Sequence, residues 1–138
     1  MRHRVLIASQ PEAWTVIRRM LGQGVDTVPV HTMVNAFQVL EREAASIDLI
    51  VCTIAFDESR MIEFLQAVKR KPTISNVPFL CARVLASVLS DELVGRVGIV
   101  CKDFGAVDLL DLGRLDEGAA QTALRAAVMH HGRPVRAS

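Results

Sequence analysis

Five short, nearly uninterrupted apolar runs, RVLIA, TVPVH, DLIVCT, VPFLCARV and VDLLDL, recur along the chain, separated by stretches whose apolar residues fall every three or four positions. A strand that is apolar on successive side chains needs cover on both faces, and a parallel sheet sandwiched between helices provides it. The predicted strands are 4–8, 27–31, 48–53, 77–84 and 107–112. Right-handed crossovers between them lead to a doubly wound α/β sandwich.

The helices are read from the same periodicity. Pro11 suits a first turn. Ala13, Val16, Ile17, Met20 and Leu21 then form one apolar stripe, which Gly22 and Gly24 stop. Ala36, Phe37, Val39 and Leu40 mark a second helix. Ile62, Phe64, Leu65 and Val68 mark a third, closed by a basic turn and Pro72. The connection 85–105 holds a helical stretch near 91–100, weakened by Gly95 and Gly98. An alanine-rich helix over 118–131 ends the expected domain, 1–131, and 132–138 form a polar tail.

With 51% hydrophobic and 22% charged residues in 138, one compact domain can form without disulfides or metals. A net charge of +1 gives no field for steering toward nucleic acid or an anionic membrane, so neither is expected as a partner. The apolar run Val5–Ala8 is too short for a secretory signal or a membrane span, and a cytoplasmic location is expected. Cys52, Cys81 and Cys101 have no CxxC spacing and read as reduced thiols in a core.

In register, these segments resemble the receiver domain of bacterial two-component response regulators, from Arg4 to His130. RVLIASQPE resembles the first strand and its acidic turn, and TVPVHTMVNAFQVLE the second strand and helix. DLIVCT with IAFDESRMIEFLQ resembles the phosphoacceptor strand, its turn and the third helix. VPFLCAR resembles the fourth strand and GAVDLLDLGRL the fifth. The resemblance implies a five-stranded parallel, flavodoxin-like sheet of order 2-1-3-4-5 with helices on both faces.

Receivers transfer a phosphoryl group to an aspartate, with Mg²⁺ held by acids after the first strand and the phosphate oxygens held by a hydroxyl and a lysine. Carried over by position, this sequence departs at each of these places. Thr53 stands for the nucleophile, Ser9 and Gln10 for the acidic pair, Arg83 (or Ala82 after a slip of one) for the hydroxyl, and Leu112 for the lysine. Leu109 replaces the usual aromatic residue of the fifth strand. The resemblance is therefore to a degenerate or pseudo-receiver, with no catalytic residue, metal or cofactor expected.

Other readings of single residues stay open. Asp57 and Glu58 are either a displaced nucleophile or metal pair, or a solvated turn. The Arg83 guanidinium lies across the pocket, with Asp57 or Asp111 as partner, or is solvated. Trp14 packs in the core or caps the pocket. Ala119, Ala123 and Ala127, four residues apart, together with Leu109, form the candidate interface. The expected function is a phosphorylation-independent signalling module that binds a protein partner, a sensor kinase, a regulator or a second copy. The alternative is a small-molecule binder or enzyme using the crevice at the carboxyl ends of the strands.

Overall fold

The computed structural model describes residues 2–85 and 89–134. Residues 86–88 of the long connection and 135–138 of the polar tail lie outside the described residues. The strands are β1 (Arg4–Ala8), β2 (Asp26–Val30), β3 (Leu49–Thr53), β4 (Phe79–Arg83) and β5 (Asp108–Asp111). They form one parallel sheet of order β2-β1-β3-β4-β5. The main helices are α1 (Pro11–Leu21), α2 (Met33–Glu43), α3 (Met61–Arg70), α4 (Asp91–Asp103) and α5 (Glu117–His131), with short helical turns at Gly22–Gly24, Ala44–Ser46, Phe56–Ser59 and Leu112–Arg114.

The doubly wound parallel sheet and its order agree with expectation, and the boundaries shift by one or two residues. At the start of β4, Val77 N–H donates to Ile74 O in a turn, and Pro78 has no N–H to give to a ladder. Those residues therefore precede the strand. Leu112 leaves β5 because Leu115 N–H closes a short turn on its carbonyl. The second strand begins at Asp26, not Thr27, and ends at Val30, leaving His31 free to turn its Nδ1 toward Ser9 O at 2.7 Å.

Strand alternation divides the core into two layers. On one face, Leu6, Ile50, Cys52, Phe79 and Cys81 meet α2, α3 and α4 through Leu40, Phe64, Leu65 and Cys101. On the other, Val5, Ile7, Val51, Leu80 and Ala82 meet α1 and α5 through Ile17, Leu21, Leu124 and Val128. The central strand β3 is buried at all five positions, as a strand covered on both sides must be. Helix α1 ends where Gly22 takes φ +63°, a left-handed conformation that glycine enters at no steric cost, and its N–H caps Arg18 O.

The start of the tail is fastened to the domain. Arg133 N–H donates to Asp48 O at 2.8 Å, and its guanidinium donates to the Ala44 and Ile47 carbonyls. Among the described residues no helix is long and apolar enough to cross a membrane.

Candidate functional site

The carboxyl ends of β1, β3 and β4 meet at one edge of the sheet. Thr53, the last residue of β3, is 2% exposed. Its Oγ1 donates to Gln10 Oε1 at 2.8 Å. A buried hydroxyl needs such a partner, and Gln10 supplies it from the turn between β1 and α1. Ser9, in the same turn, is fully buried, and its Oγ has no hydrogen-bond partner among the described residues. Its backbone is fixed all the same, since Ser9 N–H donates to Val30 O and its carbonyl faces His31.

Arg83 ends β4 and is 8% exposed. Its partner is Asp111, not Asp57. Nε and Nη2 grip the two carboxylate oxygens at 2.7 and 2.8 Å, Nη2 also reaches Asp91 Oδ1 at 3.1 Å, and Nη1 donates to Leu89 O at 3.2 Å. The bidentate fork follows from the ladder, which places Arg83 and Asp111 side by side on β4 and β5. The hydrogen bond to Asp111 raises the pKa of the guanidinium above its ordinary value despite burial. The solvated reading of Arg83 is thereby replaced by a paired, buried one.

Asp57 has a structural task of its own. Its Oδ2 accepts from Met33 N–H at 2.9 Å, at the first turn of α2, while Thr32 Oγ1 accepts from Asn35 N–H. A carboxylate at a helix N-terminus satisfies a free N–H and opposes the positive dipole end. The cap is held by an unusual backbone: Asp57, Glu58 and Ser59 all have positive φ, at 45°, 59° and 64°. Side chains other than glycine pay a steric penalty there.

Gln10, Thr53 and Arg83 converge on a cavity of about 660 Å³ between β3, β4, α3 and α4, whose apolar lining includes Ile54, Met61, Ile62, Val84, Leu85 and Val97. Ser9 and Leu112 are not brought to that cavity. Leu112 is buried in the α1 and α5 layer, with which Trp14 also packs. The donor set at the β1–α1 turn, a hydroxyl and an amide, does not fit the hard divalent cation implied by the receiver resemblance, which wants carboxylate oxygens. No step is derived through such a metal.

The expected interface residues do not form one surface. Leu109 packs against the core layer on the α4 side, whereas Ala127 is buried and Ala123 half-buried on the α1 side. Ala119 is exposed. The reason is strand alternation: Leu109 and Leu110 point to opposite faces of the sheet. The sequence pattern did not single out Leu93 and Val100, exposed apolar residues of α4, or Phe104, the exposed residue that caps its C-terminus. Their spacing of seven and four placed them on one helical face, but Gly95 and Gly98 masked the pattern.

The three cysteines are free and buried. Cys52 and Cys81 are register partners on β3 and β4. Burial pushes the Cys52 thiol well up, and a hydrogen bond with Cys101, together with burial, pushes Cys81 up, so neither is a ready nucleophile.

No protein-family model matches the sequence, and no curated protein is significantly similar to it. Solved structures do share its fold. The phosphorylated cyanobacterial phytochrome response regulator RcpA superposes with a TM-score of 0.72 at 14% identity, covering 95% of this chain and 94% of that one. A putative response regulator from Chloroflexus aurantiacus gives 0.71 at 14% identity, covering 94% and 99%. A response regulator from Hahella chejuensis gives 0.70 at 19% identity, covering 93% of each chain. At these identities the likeness is one of architecture: the chain has the flavodoxin-like receiver fold.

Proposed function

We propose that this chain is a signalling module that acts by binding a protein partner, on a receiver fold that does not take up a phosphoryl group. The observation that carries the reading is the tip of β3, where the side chain is the neutral hydroxyl of Thr53, buried and hydrogen-bonded to Gln10. A carboxylate can form an acyl phosphate, whereas an alcohol needs a base to activate it. Gln10, the neighbour of that hydroxyl, is an amide and cannot serve. Arg83 supports the same reading, because its charge is already committed to Asp111 and Asp91.

The partner is a protein, a sensor kinase, a regulator or a second copy of this chain. What supports this is the likeness in fold to response regulators and the exposed apolar residues Leu93 and Val100 of α4 and Phe104 at its C-terminal cap. The test is incubation with Mg²⁺ and acetyl phosphate, followed by intact mass and partner binding. Unchanged mass and unchanged binding are expected. An acid-labile adduct of one phosphoryl group, or binding that depends on the phosphodonor, would overturn the proposal.

A further inference from the structure

The cavity at the carboxyl edge of the sheet has a chemistry separate from any partner surface. Its volume, about 660 Å³, lies within the roughly 300–1,000 Å³ of small-molecule sites. Among the described residues, seven of the twelve that line it, Ile54, Met61, Ile62, Val84, Leu85, Leu89 and Val97, are apolar and larger than alanine. They come from both walls, with Ile62 on α3 and Val97 on α4. Such a lining favours an apolar occupant through the hydrophobic effect.

The polar groups narrow the class. Arg83 contributes no free charge, because Asp111 and Asp91 occupy its fork and Leu89 O takes Nη1. Among the described lining residues, neither anion nor cation therefore finds an unmatched countercharge. Thr53 spends its proton on Gln10 Oε1, which leaves the Gln10 side-chain NH₂ with no hydrogen-bond acceptor among the described residues. That amide sits at the cavity wall as an unused donor.

We infer that this cavity binds an uncharged, largely apolar small molecule carrying one hydrogen-bond acceptor, such as a carbonyl oxygen, directed at the Gln10 amide. The reading is independent of the proposed partner binding. A molecule can occupy the cavity whether or not the protein accepts a phosphoryl group.

The probe is Prodan, a neutral naphthalene ketone whose emission shifts to the blue in apolar surroundings. One saturable site is expected on the intact chain, with amide chemical-shift changes concentrated at Thr53, Ile54, Val84, Leu85 and Val97. Ile62→Trp and Val97→Trp each place a large side chain on a half-buried wall position and should abolish binding while circular dichroism stays unchanged. Gln10→Leu should weaken binding several-fold by removing one neutral hydrogen bond. Absence of saturable binding would overturn the inference, and so would shift changes elsewhere. Binding that survives both Trp variants would overturn it too. Should one variant fail to fold, the shift map on the unaltered protein still decides. Prodan binding together with a phosphoryl adduct would overturn the proposed function and leave this inference standing.

Discussion

Arg83 Nε and Nη2 stand 2.7 and 2.8 Å from the two carboxylate oxygens of Asp111, its register partner on β5. The pair joins the outermost strand to β4 and, through Asp91 and Leu89 O, ties both to the start of α4. Removing Asp111 leaves the buried Arg83 with only the exposed Asp91 carboxylate and Leu89 O as partners. Asp111→Ala should therefore cost roughly 2–3 kcal/mol, toward the low end for buried pairs because Asp111 keeps some access to water. Replacing both with Met and Leu should recover most of that loss. Urea denaturation measures each value.

The same network decides where Arg83→Ala acts. Hydrogen exchange should quicken around Leu89 to Val94, where Arg83 holds the approach to α4. It should stay unchanged at Asp57, whose carboxylate is bound to Met33 N–H. Protection lost at Asp57 instead would mean that Arg83 supports the opposite side of the cavity.

At the tip of β3, restoring one group should not restore receiver chemistry. Thr53→Asp places a carboxylate beside Gln10, but Ser9 and Gln10 still offer no acids for a divalent cation and Leu112 is buried away from the cavity. With acetyl phosphate and Mg²⁺ the variant should show no added phosphoryl mass. An adduct would show that a single substitution suffices and that the site is closer to function than its residues indicate.

The doubly wound sheet was legible because each strand is a short apolar run and each helix has a clear stripe; β1 and the end of β3 fall where the pattern puts them. The substitutions at Ser9, Gln10, Thr53 and Arg83 were also visible as residue types in register. What could not be read was direction. Whether Arg83 turned toward Asp57 or Asp111 depends on the β4–β5 pairing, which is long-range. The left-handed turn at Asp57 to Ser59 carries no glycine, so the usual signal for positive φ is missing. The split of Leu109 from the alanine helix depends on which face each strand residue takes, and a one-residue shift in register reverses it.

That turn yields a paired prediction. Asp57→Ala removes the carboxylate from the α2 N-terminus and should cost about 1 kcal/mol. Glu58→Gly, at φ 59°, relieves a left-handed residue and should stabilise the fold or leave it unchanged, within about 1 kcal/mol. A lower melting temperature for Asp57→Ala and an equal or higher one for Glu58→Gly is the expected result. Destabilisation by both would show that Glu58 makes a contact worth more than its strain.

The buried thiols set the alkaline limit. Cys52 and Cys81 are raised in the folded state above the ordinary 9.0, chiefly by burial for Cys52 and by the Cys101 hydrogen bond for Cys81. Above pH 9 the unfolded chain loses these protons while the native chain keeps them. The unfolded state then binds fewer protons, so stability is full below that pH and falls as pH rises, by up to about 1.4 kcal/mol per pH unit for Cys52, whereas in the Cys81–Cys101 pair the hydrogen bond that raises Cys81 lowers Cys101 and the two oppose each other. Urea titrations from pH 8 to 10 should show the fall, and Cys52→Ala should show a shallower one.

The alanine helix provides the sharpest test of orientation. Ala123 is half-buried against the α1 layer, and its neighbours Leu124, Ala127 and Val128 are buried, whereas Ala126 is exposed. A glutamate at Ala123 must push a charge between α5 and α1 or displace one of them, and overpacking of this kind costs roughly 1–3 kcal/mol. Ala126→Glu adds the same charge to a solvated position and should change stability by less than about 0.5 kcal/mol. If α5 takes part in self-association, Ala126→Glu is therefore the variant that reveals it, by a change in sedimentation with the fold intact. A stable, fully folded Ala123→Glu protein would mean that the outward face of α5 includes Ala123 and that the helix is rotated from its position here.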